Sequence, residues 1–104
     1  MTTIAQIQRA VAEHYGVTVL EMRSARQTRA ILTPRHVAMY LARHLTQHSL
    51  PAIARQFGDR DHTTVMHAER KIDRCRQNNR ALADDLFDIE ARLFFTLAAL
   101  TRGQ

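Results

Sequence analysis

The densest run of side chains able to do chemistry is Asp61-His62-Thr63-Thr64, inside the stretch GDRDHTTVMHAERK from Gly58 to Lys71. Asp61 is a strong N-cap type, and the residues after it can run as one helix. His62, Thr63 and Thr64 then fill the first turn, at the positive end of the helix dipole. Short hydrogen-bonding side chains there, with the threonine methyls, suit base edges and thymine methyls in a DNA major groove. One oxygen of Asp61 can cap the helix while the other accepts from a cytosine amino group. Val65, Met66, Ala68 and Ile72 recur at spacings of three and four, an apolar side that anchors the helix to a core. Just upstream, SLPAIARQFG (Ser49 to Gly58) reads as a short helix with Ser49 as cap, Pro51 in the first turn and Gly58 at the end. Two helices joined by a tight turn containing glycine make a helix-turn-helix, expected over about 49–75.

These residues carry a resemblance. Ser49-Leu50-Pro51, Phe57-Gly58, Arg60-Asp61-His62-Thr63-Thr64-Val65, His67-Ala68 and Lys71-Ile72 are similar to the signature of the DNA-binding C-terminal domain of the DnaA family of bacterial replication initiators. The similarity extends upstream through Val11-Ala12, Tyr15-Gly16-Val17, Arg35 and Ala38-Met39-Tyr40-Leu41-Ala42-Arg43. It is good over roughly residues 4–75 and holds by pattern beyond them. It implies an all-α fold of about six helices around a central helix-turn-helix, of the TrpR-like kind. It also implies double-stranded DNA carrying DnaA-box-like sites as the partner, with other replication-initiation proteins as further candidates. Asp61, His62, Thr63 and Thr64 would read bases, and His67 would contact DNA or pack. Leu50 and Pro51 would lie against the DNA edge. Arg26, Arg29, Arg35, Arg60 and Lys71 would hold the backbone or enter the minor groove.

Composition bounds the same answer. A chain of 104 residues suits one domain, and three glycines with two prolines leave little room for hairpins, which favours helices. Arginine supplies fourteen of the fifteen positive charges, and the formal net charge is +5. Up to Arg80 there are thirteen basic and six acidic side chains, and after it two and four, so the anion-binding face belongs to the first part. No apolar run is long enough to span a membrane, the N-terminus lacks a signal-peptide pattern, and the single Cys75 suits a reducing compartment. A cytoplasmic, nucleoid-associated protein is expected.

The elements that position the site follow in order. Thr3 to about His14 reads as an amphipathic helix with Ile4, Ile7, Val11 and Tyr15 on one face and Gly16 at its end. Thr18 to Glu21 is a capping box opening a short second helix, with Leu20 and Met22 expected to pack inward. Ser24 to Thr33 has weak periodicity and reads as a basic loop, flanked by Arg23 and Arg35. The family resemblance makes it the segment that reaches the backbone and minor groove. The usual second arginine is replaced by Gln27, which keeps an amide but no charge. Thr33-Pro34 reads as cap and first turn of the next helix, with Arg35 in that turn as a phosphate clamp and His36 where the family has Gln. Val37, Tyr40, Leu41, Leu45 and His44 form its expected buried side.

A last helix over about 81–100 carries Leu82, Leu86, Ile89, Leu93, Leu97 and Leu100 on one stripe, and Phe87, Phe94 and Phe95 are expected to widen the apolar surface, as core in preference to a partner surface. Arg70, Arg74, Arg76 and Arg80, interleaved with Glu69 and Asp73, read as a solvated, salt-bridged face.

Six histidines raise the question of a metal, but none of their spacings makes a ligand set, and no HExxH or second cysteine exists. No metal, cofactor or catalytic constellation is expected. A GxxxxGK[ST] loop is absent, so ATP-driven assembly is outside the reach of this sequence. The start at Met1 favours a stand-alone DnaA-like regulator of initiation or transcription over a fragment. The competing reading is an interaction adaptor that kept the fold and lost DNA specificity.

Overall fold

Among the described residues six helices run in the order α1 (Ile4–Tyr15), α2 (Val19–Arg23), α3 (Arg29–Leu45), α4 (Leu50–Arg55), α5 (His62–Cys75) and α6 (Arg80–Arg102). The structure, a computed structural model, describes residues 2–102, with side chains described as far as Ala99. Most helix ends follow from cap chemistry. Thr3 and Thr18 each form a full capping box, with Gln6 and Glu21, and Gly16 closes α1 in the left-handed region. Ser49 accepts from the Ala52 N–H at the head of α4, and the Asn79 side chain accepts from the Leu82 N–H at the head of α6.

The long α3 is the axle. It makes its broadest contact with α5, and α1, α2 and α4 also lean on it. Val37, Ala38, Met39, Leu41 and Ala42 are buried along it and meet Ile7 and Val11 of α1, Ile53 of α4 and Val65 of α5 in one core. Burial of this kind is worth about 25 cal/mol per Å² of apolar surface and is what fixes α5 in place.

α6 packs on α1 with Leu82, Leu86, Ile89 and Leu93 facing inward. Asp85 fastens the joint: its carboxylate accepts from the Tyr15 hydroxyl at 3.0 Å and lies 2.8 Å from His14 Nε2. Burial, reinforced by Asp85, holds the Tyr15 phenol well above its ordinary pKa. Leu97 is half-buried, and the Leu100 side chain lies outside the described residues.

Four expectations need correction. α3 begins at Arg29 with Thr28 as N-cap, not at Pro34, which lies buried inside the helix. The Ile31 and Leu32 N–H groups already return to the Thr28 carbonyl, so the helix is under way before the proline. Leu20 points to solvent at 80% exposure, because so short a helix buries only its Met22 side. His44 is exposed, its ring tilted 41° against Tyr40 with centroids 4.3 Å apart and its Nε2 3.6 Å from Glu69. Phe87, Phe94 and Phe95 stand in solvent, at 72%, 67% and 69% exposure, since the leucine stripe alone meets α1.

Candidate nucleic-acid interface

The turn of the helix-turn-helix explains how the head of α5 is aimed. Gly58 and Asp59 both adopt positive φ, 88° and 56°, reversing the chain between α4 and α5. A side chain at Gly58 would run into the backbone carbonyl of Arg23, so only glycine lets this turn close on the end of α2. From α1, the buried Gln8 donates its amide to the Gln56 carbonyl at 2.8 Å and pins the turn's other end.

Asp61 then caps α5. Its Oδ1 accepts from the Thr63 N–H at 2.9 Å and the Thr63 hydroxyl at 2.8 Å. These two donors hold its carboxyl below the usual carboxylate range, so the cap is charged at neutral pH. Asp61, His62 and His67 are exposed, and Thr63 and Thr64 are half-buried. Val65, Ala68 and Ile72 are buried on the opposite side, with Met66 half-buried. The helix head therefore offers a carboxylate oxygen and an imidazole to solvent, with two half-buried threonines beside them, on a fixed base.

The basic loop between α2 and α3 is tied to the same turn. Arg35 is 1% exposed. Its Nε donates to the Met22 carbonyl at 2.7 Å, and its Nη2 donates to the carbonyls of Ser24 and Arg26, both at 2.9 Å. Arg60 reaches across from the turn and donates to the same Ser24 carbonyl. Its Nε is buried without a partner among the described residues. Gly58 against Arg23, Arg60 on Ser24 and Arg35 on Met22, Ser24 and Arg26 make the loop and the head of α5 one unit.

This geometry corrects the reading of Arg35. A guanidinium this buried, spent on main-chain carbonyls, is not available to clamp a phosphate. Its depth in α3, well past the first turn, is the physical reason, and burial followed by the charge of Arg60 lowers its pKa. Arg60 is likewise partly withdrawn from any DNA contact. The basic and polar groups left at the surface are those around it. Arg26 and Gln27 are exposed in the loop, with Arg26 only 3.4 Å from Glu21, and Arg29 is exposed at the first position of α3. Lys71 is exposed on α5, Pro51 is exposed and Leu50 half-buried at the head of α4.

His36 lies between these groups. Burial first, then the charges of Lys71, Arg35 and Arg60, push its pKa down to about 4, so it is neutral at pH 7 and marks a strongly positive surround. Just past the end of α5, Arg76 pairs with Asp73 at 3.1 Å. Among the described residues no three His, Cys, Asp or Glu side chains converge as a metal site would need.

Sequence reasoning missed Gly58 as a packing glycine, Gln8 as a pin and Arg35 and Arg60 as clamps. A signal existed only for Gln8, a polar residue next to Ile7 and three before Val11 on the inner face.

Residues 4–72 match the family described as bacterial dnaA protein helix-turn-helix. Over 84 residues the chain is 51% identical to the chromosomal replication initiator protein DnaA of Psychromonas ingrahamii, which covers 81% of this chain and 18% of that protein. It is 54% identical over 84 residues to the DnaA of Cereibacter sphaeroides, with the same coverage of 81% and 18%. To the DnaA of Caulobacter vibrioides it is 50% identical over 91 residues, 88% of this chain and 19% of that protein. The chain thus spans under a fifth of the length of these relatives.

Proposed function

This chain belongs to the bacterial DnaA helix-turn-helix family, and from that premise we propose that it binds double-stranded DNA at DnaA-box-like sites and so regulates replication initiation or transcription. The matched family is a DNA-binding domain, so the chain is not itself an enzyme. The observation that carries the proposal is the head of α5: capped by Asp61, open to solvent, and joined through Arg60 and Gly58 to an arginine-bearing loop.

The two parts divide the work. Asp61, His62, Thr63, Thr64 and His67 read base edges in the major groove. Arg26, Gln27 and Arg29 approach the backbone and adjoining minor groove, where a narrow groove's negative potential attracts arginine. Lys71 neutralises a phosphate, and Leu50 and Pro51 pack on the sugar-phosphate edge. Because the loop is clamped before DNA arrives, both grooves are met without the cost of ordering it first. No ATP hydrolysis belongs to this role; the chain occupies sites rather than melting them.

A titration of a family-type box duplex and a scrambled duplex of equal length, at one salt concentration, tests it. Specific sites bind at least about 10³-fold tighter than non-specific DNA. Equal affinities would leave only a basic protein with general DNA affinity.

A further inference from the structure

α6 has two apolar faces, and the fold uses one. Leu82, Leu86, Ile89 and Leu93 are buried against α1. A second stripe, Phe87, Ala91, Phe94 and Ala98, repeats at spacings of four, three and four, the heptad spacing of a helix-helix seam. Phe95 flanks it. The three phenylalanines are 67–72% exposed and the two alanines half-buried.

We propose that this face is the dimer interface of the protein, the α6 helices of two copies pairing antiparallel. Two observations choose a second copy as occupant. The first is size. Antiparallel pairing with Phe94 opposite the other copy's Ala91 also sets Phe87 opposite the other copy's Ala98, so every large knob meets a small residue. The second is charge. The first half of α6 holds Asp84, Asp85, Asp88 and Glu90 against the single Arg80, whereas the second half holds Arg92 and Arg102 and no acid; of these, Asp85 is held by His14 and Tyr15 and Arg92 by Glu13 within the same chain. Parallel pairing would stack the acidic halves; antiparallel pairing sets acidic against basic, with helix dipoles opposed.

The area fits a modest dimer. Three phenylalanines exposed to this degree amount to roughly 400 Å² per copy. With the alanines and flanking atoms a pair reaches about 1,000 Å² in total, where specific interfaces begin. The proposal stands on α6 alone and does not depend on the DNA reading; its consequence for that reading is two DNA-binding heads in one particle.

The test is sedimentation equilibrium of the full chain without DNA, over about 1–500 μM, a range that brackets the micromolar affinity of so small an interface. The mean mass should rise from 12.0 kDa toward twice that value. Phe94→Ala, which leaves a hole, and Ala91→Phe, which sets two rings head to head, should each weaken association about tenfold or more. The double variant Ala91→Phe with Phe94→Ala exchanges knob and hole and should restore it to within about threefold. Circular dichroism checks that each variant keeps its helix. A mass of 12.0 kDa throughout the range overturns the proposal, and so does a double variant that associates no better than the singles.

Discussion

Replacing Arg35 by alanine separates a buried clamp from a phosphate ligand. The guanidinium makes three hydrogen bonds of 2.7–2.9 Å to main-chain carbonyls and pairs with no carboxylate among the described residues. After truncation the Ser24 carbonyl keeps Arg60, while those of Met22 and Arg26 lose a charged donor. Hydrogen bonds from charged groups are worth about 1.5–3 kcal/mol each. Relief of the guanidinium's own desolvation offsets part of the loss. A net destabilisation of about 3 kcal/mol is expected, which lowers the melting temperature by about 12–24 °C for a domain of this size. Thermal unfolding followed by circular dichroism measures it. Below the melting range, DNA affinity should fall because the loop loosens, yet the slope of log affinity against log salt should stay as in the parent. Lys71→Ala is the contrast: exposed on α5, it should reduce that slope by about 0.9. An Arg35→Ala protein that melts within a few degrees of the parent, with its salt slope reduced by about one, would refute the clamp and return Arg35 to the phosphates.

Gly58→Ala should cost at least about 2 kcal/mol in urea unfolding, since the new methyl meets the Arg23 carbonyl and φ is 88°; a loss under half of that would mean the turn and α2 part easily. His36 should make stability fall with acid. Its folded pKa of about 4 lies below the unfolded value of about 6.5, so the unfolded chain takes the proton first. The contribution is complete above about pH 6.5 and is lost as pH falls toward 4, by up to about 3 kcal/mol. His36→Gln should flatten the pH profile of unfolding over that window, and an unchanged profile would place the titration elsewhere. Gln27→Arg should tighten binding to family-type boxes by about 1 kcal/mol, less at higher salt, because it returns a cation to an exposed loop position; equal affinity at two salt concentrations would mean the loop stays out of the groove.

The parts of the fold that could be read from sequence are those set by local chemistry. Thr3, Thr18, Ser49 and Asp61 announce helix starts through the hydrogen bonds their own side chains make, and these need no tertiary information. Thr33-Pro34 misleads for the same reason: it has the local form of a helix start. The true start at Arg29 is visible only once Ile31 is seen to be buried. Arg35 shows the limit for the site. An arginine on a helix of a basic chain looks like a phosphate ligand until the loop that folds over it is known, and that loop's carbonyls leave no mark in the sequence. The phenylalanines of α6 fail differently: apolar type predicts that a residue will be covered, but not by which surface.

The claim at the centre is that the residues from Asp61 to Thr64, with His67, read a specific short sequence. Selection of bound sites from random duplex DNA, carried out in parallel with the parent chain and with Thr64→Ala, tests it most directly. The parent should recover one short asymmetric site of the DnaA-box type, and the variant should lose preference at one or two positions, each mismatch being worth about 1–3 kcal/mol. Recovery of no common sequence by the parent, or an identical site from the variant, would contradict it.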